Sequence, residues 1–156
     1  MQLSIIVATL EGCPFDAIDD PALIDRALTE AVQAGGFTLL NKHVHEFEPQ
    51  GVTGAAVLSE SHIALHSWPE TGVLFVDLAT CSGAAATNAA FARICALIPH
   101  TTVRRHDVGY RGRTGRDQAA LTHVAPIDKP TCAPWRRVHE AAPQHRRENK
   151  RRALCR

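Results

Sequence analysis

Four short strand-like runs, at residues 37–47, 52–58, 62–68 and 73–79, follow one another with only three or four residues between them. Parallel strands need a crossover of roughly a dozen residues or more, so connections this short confine the runs to antiparallel neighbours. The connections carry turn chemistry: Pro49-Gln50-Gly51, Ser59-Glu60, and Pro69 to Gly72. Period-two alternation puts Leu39, Asn41, His43, His45 and Phe47 on one face. In the third run it puts Ser61, Ile63 and Leu65 on one face and His62, Ala64 and His66 on the other. That parity requires a regular strand up to Ser61, and the polar Ser59-Glu60-Ser61 argues against regularity there.

The flanking segments complete the architecture. Residues 3–10 form an apolar, β-branched run ended by Gly12-Cys13-Pro14. Asp20-Pro21 reads as a helix start, since Asp caps free amides and Pro suits the first helical position. Leu23, Ala27, Leu28, Ala31 and Ala34 then keep helical spacing up to Gly35-Gly36, a C-terminal stop. Residues 84–97 read as a second helix and 101–106 as a closing strand. The order β-α-β-β-β-β-α-β predicts an α+β fold, a two-layer sandwich with an antiparallel sheet covered by helices on one face.

Charge divides the chain. Residues 1–100 carry three basic side chains against eleven acidic ones, and residues 101–156 carry fourteen against five. This predicts a domain over 1–110 followed by a basic, flexible extension over 111–156, with a short helix near 136–152. The five cysteines, 13, 81, 95, 132 and 155, are odd in number and form no CxxC pair, which argues against a disulfide framework. No basic leader and no apolar run of about 18–20 residues is present, so a cytoplasmic protein away from membranes is expected.

The chemistry concentrates in LSESHIALHSWPE, residues 58–70, with two carboxylates and two imidazoles in thirteen residues. Its residues admit several readings. Ser59 and Ser61 can simply satisfy backbone groups in a turn. His62 and His66, with His43 and His45, can be read as zinc ligands, although no HExxH glutamate follows. Cys81 or Ser61 with His66 would make a nucleophile and base if the sheet brought them together.

The whole set, LSESH-(x)3-HSWPE followed by Asp77-x-x-x-Cys81 and preceded by FEPQGVTG at 47–54, resembles the bacterial and archaeal S-adenosylmethionine decarboxylase proenzyme family. The resemblance implies self-cleavage between Glu60 and Ser61: the Ser61 hydroxyl attacks the Glu60 carbonyl to give an ester, and β-elimination leaves a covalent pyruvoyl group generated from Ser61. His66 matches the processing base, for which an imidazole of ordinary pKa about 6.5 is suited, and Thr53 matches a hydroxyl that supports the ester. The pyruvoyl carbonyl would form a Schiff base with the substrate amine and take up the electrons released with carbon dioxide. Cys81 matches the proton donor, a role open to a thiol that is mostly protonated at pH 7. Phe47 matches an aromatic that stacks on adenine and Glu70 a carboxylate that binds ribose hydroxyls.

Function and partners follow from the same resemblance. It implies a lyase that makes the aminopropyl donor for spermidine biosynthesis, working as a homodimer with its site at the interface and with no metal. The first strand departs from the family pattern: Ile6 stands where relatives often carry histidine, and the region around Thr9 replaces an acidic residue. These departures keep open an amino-acid substrate, ornithine or arginine, on the same scaffold. The basic tail suggests a third class, a protein that binds nucleic acid or an acidic partner, although it shows no aromatic stacking pattern.

Overall fold

The structure is a computed structural model that describes residues 2–111. The basic extension from residue 112 onward, the helix expected near 136–152, Cys132 and Cys155 lie outside the described residues.

Asp20 starts the main helix as its chemistry dictates, accepting a hydrogen bond from the Ala22 amide at 2.9 Å. That helix, α2, spans Pro21–Gly35 and ends on Gly36, whose φ of 65° is the left-handed stop that glycine adopts without cost. A short helix not evident in the sequence, α1 (Phe15–Ile18), precedes it. The second long helix, α3, spans Ala84–Leu97. Arg26 and Arg93 both pair with Glu30, tying α3 to α2, and hydrogen bonds from Arg26 and then Arg93 hold the Glu30 carboxyl below its usual range.

The strands are β1 (Gln2–Glu11), β2 (Leu39–Glu46), β3 (Val52–Leu58), β4 (Ser61–Trp68), β5 (Val73–Thr80) and β6 (Thr102–Arg111). They form one six-stranded sheet in the order β2-β3-β4-β5-β1-β6, and every neighbouring pair is antiparallel. The α+β two-layer sandwich read from the sequence is therefore the observed fold. The closing strand runs to Arg111 rather than stopping at His106, because it pairs with the full length of β1.

Both long helices lie on one face. Ile24, Leu28 and Ala31 of α2 and Phe91 and Ile94 of α3 pack on Ile6, Ala56, Ile63, Leu65, Val76 and Leu78 of the sheet, all buried. The other face has no helix over it among the described residues. It presents His62, Ala64 and His66, as parity predicts, together with Val57, Trp68, Val108 and Tyr110, which are exposed large apolar side chains. Among the described residues no helix is long and apolar enough to cross a membrane.

Gly54 sets how closely α2 approaches β3. A Cβ there would lie 2.8 Å from Leu28 Cδ1 and 2.9 Å from Ile24 Cγ2, both fully buried. Gly54→Val should therefore push α2 off the sheet and destabilise the fold by about 1–3 kcal/mol. A lowered thermal midpoint in circular dichroism is the expected result, and an unchanged midpoint would contradict this packing.

Candidate active site

The turn between β3 and β4 is the smallest a hairpin allows. Leu58 pairs with Ser61, leaving Ser59 and Glu60 as the two connecting residues. Such turns are ordinarily built with glycine or asparagine at positive φ, and neither is present here. The irregularity appears instead at Ser61, whose φ is 137°, the one positive φ outside glycine among the described residues. A backbone conformation of this kind costs of order 1–3 kcal/mol and persists where its surroundings impose it.

Those surroundings are specific. The Ser59 amide donates to the Thr38 carbonyl at 3.0 Å, and the Thr38 amide donates back to the Glu60 carboxylate at 3.1 Å. On the other side the Cys81 amide donates to the Glu60 carbonyl oxygen at 3.1 Å. Cys81 is held in turn by its neighbour Thr80, which pairs with Ser61 and whose buried hydroxyl meets that of Thr87 in the first turn of α3 at 3.1 Å. An N–H aimed at this carbonyl polarises it and would stabilise negative charge developing on the oxygen. Ser61 Oγ lies 3.2 Å from His62 Nδ1, and His62 Nε2 lies 3.4 Å from an Asp77 carboxylate oxygen.

A second group gathers toward the other end of the same strand. His66 Nδ1 is 2.9 Å from Thr53 Oγ1, and its ring stands 6.1 Å from Phe75 and 6.4 Å from Trp68. His45 pairs with Thr53 across β2 and β3 and meets Phe47 edge-on at 4.6 Å. Glu70, in the 3-10 turn after β4, accepts from Gln50 Nε2 at 3.3 Å. Phe47 and Glu70 are both exposed.

The residues singled out in the sequence thus fall into two sets. Glu60, Ser61 and Cys81 come together at the β3–β4 turn, and Thr53, His66, Phe47 and Glu70 lie away from it. Ser61 and His66 are five residues apart on one strand, which places them about 16 Å apart at about 3.3 Å per residue. Within one chain His66 therefore serves as base for neither Ser61 nor Cys81, and the hydrolase pairing is overturned. His62 and His66 are about 13 Å apart by the same rise, too far for imidazoles that must each approach a zinc ion to about 2 Å. The shared-zinc reading falls with them. Ile6 is buried in the core, on the helix-covered face, so the departure there removes nothing from the open face.

A model of the S-adenosylmethionine decarboxylase family matches residues 4–109. The chain belongs to this family. It is 51% identical over 76 residues to an S-adenosylmethionine decarboxylase proenzyme of Methanococcus maripaludis strain C7, covering 49% of this chain and 62% of the relative. It is 49% identical over 75 residues to the corresponding proenzyme of Synechococcus sp. strain WH7803, covering 48% of this chain and 59% of the relative. The matched segment thus spans about three fifths of those relatives' length. The crystal structure of the adenosylmethionine decarboxylase from Aquifex aeolicus VF5 superposes with a TM-score of 0.65 at 31% identity, covering 68% of this chain and 88% of that one.

Sequence reasoning gave His62 and Asp77 no role at Ser61: His62 reads there as a strand residue or a zinc ligand, and Asp77 only as part of a motif. The contact of His62 with Ser61 depends on the unusual φ of Ser61, and Asp77 reaches the group through His62, from the neighbouring strand.

The three described cysteines differ in access. Cys81 is exposed, whereas burial raises the Cys13 and Cys95 thiols above their ordinary pKa and so depletes their thiolates. In native protein treated briefly with iodoacetamide, Cys81 should be alkylated ahead of Cys13, as peptide mapping would read. Equal labelling would contradict the placement of Cys13 in the core.

Proposed function

We propose that this chain is a self-processing, pyruvoyl-dependent S-adenosylmethionine decarboxylase that supplies the aminopropyl donor for spermidine biosynthesis. The observation that carries the reading is the Glu60–Ser61 bond itself. Its carbonyl oxygen receives the Cys81 amide, its serine is strained, and that serine carries the β-hydroxyl that the acyl shift needs on the C-terminal side. Attack by the Ser61 hydroxyl turns the amide into an ester and relieves the constraint at Ser61. Loss of the α-proton with elimination then separates residues 1–60 from a chain beginning at 61. The relatives' names as S-adenosylmethionine decarboxylase proenzymes support both the processing and the nucleoside substrate.

A pyruvoyl group at position 61 fits the residues present, because its source is a serine and a thiol follows the strand that pairs with it. Once formed, that group supplies the electron-withdrawing carbonyl that decarboxylation of an α-amino acid requires. Cys81 delivers a proton to the decarboxylated carbon. Phe47 offers a ring for adenine and Glu70 a carboxylate for ribose hydroxyls, and both are exposed and free to meet a ligand. Reduced thiols suit a cytoplasmic setting.

The separation of about 16 Å between Ser61 and His66 along one strand gives this function a quaternary requirement. We infer a homodimer in which the open faces of two sheets meet in opposite directions, so that the partner's His66, held by its Thr53, reaches the α-proton of Ser61. Val57, Trp68, Val108 and Tyr110 give that face the apolar character a stable interface needs. His66 then removes the α-proton, and the Phe47 and Glu70 of one subunit serve the Ser61 and Cys81 of the other.

Intact-mass measurement should find two chains split before Ser61 in the wild type and one uncut chain in Ser61→Ala. An uncut wild-type chain would sink the processing mechanism. Carbon dioxide release should be seen with S-adenosylmethionine and not with ornithine or arginine; the reverse would move the substrate to an amino acid. Co-expressing Ser61→Ala with His66→Ala should restore cleavage of the His66→Ala chain, because the first variant lends its His66. Absence of cleavage in the mixed dimer would refute the shared site.

A further inference from the structure

Adjacent residues of a strand point to opposite faces, so Ser61 and His62 should be unable to touch through their side chains. They do touch: Oγ is 3.2 Å from Nδ1, and the contact coincides with the φ of 137° at Ser61. His62 itself is regular, on the open face, and its other ring nitrogen lies 3.4 Å from Asp77 on the neighbouring strand. A carboxylate beside Nε2 favours the tautomer that keeps its proton there, which leaves Nδ1 as an acceptor facing the serine hydroxyl. Ser61, His62 and Asp77 therefore stand in a nucleophile–base–orienting-acid order.

We propose that His62, oriented by Asp77, is the base that activates Ser61 for the acyl shift. This rests on the self-processing reading above and adds a residue to it. As Oγ attacks the Glu60 carbonyl carbon, its proton passes to His62 Nδ1, and the oxyanion forms where the Cys81 amide already donates. The carbon–nitrogen bond of the Glu60–Ser61 amide then breaks, and the departing Ser61 nitrogen takes the proton back from the imidazolium. The products are an ester from Glu60 to Oγ and a free amine on Ser61, with no net gain or loss of atoms, protons or electrons. Asp77, 3.4 Å from Nε2, stabilises the transient imidazolium.

The assignment separates two proton transfers that one histidine would otherwise have to perform. His66 is about 16 Å from Ser61 in its own chain, and its Nδ1 is occupied by the Thr53 hydroxyl. It is left for the later removal of the α-proton, across the dimer. His62 acts first and within its own chain.

The test follows maturation in cell-free translation, by intact mass, for wild type, His62→Gln, His62→Ala and Asp77→Asn, with hydroxylamine added to split any ester. A general base contributes typically about 10²–10⁴-fold. His62→Gln and His62→Ala should therefore mature at least about a hundredfold more slowly, and Asp77→Asn should be slowed to a smaller degree. The uncut His62 variants should resist hydroxylamine, because no ester has formed, whereas His66→Ala should be split by it before Ser61. Glutamine retains a hydrogen-bonding group of similar reach, so its failure to mature points to proton transfer and not to packing. Maturation of either His62 variant at the wild-type rate would overturn the inference. So would a slow variant that hydroxylamine splits, since the ester would then have formed without His62. A wild-type chain that never matures would instead remove the processing reading on which this one stands.

Discussion

Helices α2 and α3 cover one face of the sheet, so each central strand must send every second side chain into the core and leave the others uncovered. That alternation governs the rest of the molecule. Ile63 and Leu65 anchor β4 in the core with no solvent exposure, and the same period fixes His62 and His66 on the open face. A slip of one residue would bury two imidazoles and expose the core, so the register of β4 is held by the hydrophobic effect and not by the site. The chemistry is positioned by residues that take no part in it.

The exception to alternation sits where the chain is proposed to break. Ser61 closes a two-residue turn that lacks glycine, and its strained φ is held by a ring of contacts on either side of Glu60. Strain of about 1–3 kcal/mol is small beside the stability of a domain core, so the fold can maintain it. The rest of the hairpin keeps the ends in place, while the Cys81 amide meets the Glu60 carbonyl and the His62 imidazole the Ser61 hydroxyl, the two groups that the proposed acyl shift would join. The same strand carries two histidines at different stations. His62 lies beside the Ser61 hydroxyl, and His66 lies toward the other end, against Thr53.

Much of this was legible in the residues. Asp20-Pro21 and Gly36 marked the ends of α2 because capping and left-handed stops act locally. The turns at 49–51 and 69–72 declared themselves through Pro and Gly for the same reason. Period two grouped Asn41, His43 and His45 on one face and His62 with His66, as the structure has them. The irregularity between Leu39 and Asn41 instead pairs Leu39 with the buried Leu58 and takes it off the face it was expected to share. The motif around Ser61 and Cys81 carried the family resemblance, and the family match bears that out. What parity could not supply was the extra turn of helix at Phe15–Ile18, which has no distinctive cap side chain, or the length of β6, whose last residues are strand because β1 lies beside them.

The sequence by itself determined the two long helices, the existence of the six strands and the face taken by side chains in their regular stretches, because those follow from local sterics and from the spacing of apolar residues. Only the tertiary structure decided which of them meet. Pairing Ser61 with Thr80 brings the Cys81 amide to the Glu60 carbonyl, and the φ at Ser61 brings its hydroxyl to His62. Pairing Thr53 with His66 collects the second set elsewhere. Residues 61 and 66 are close in the sequence and about 16 Å apart in space, while residues 60 and 81 are distant in the sequence and hydrogen-bonded in space. An extended strand separates its own neighbours and joins those of other strands, and that is a property of register, which no single segment contains.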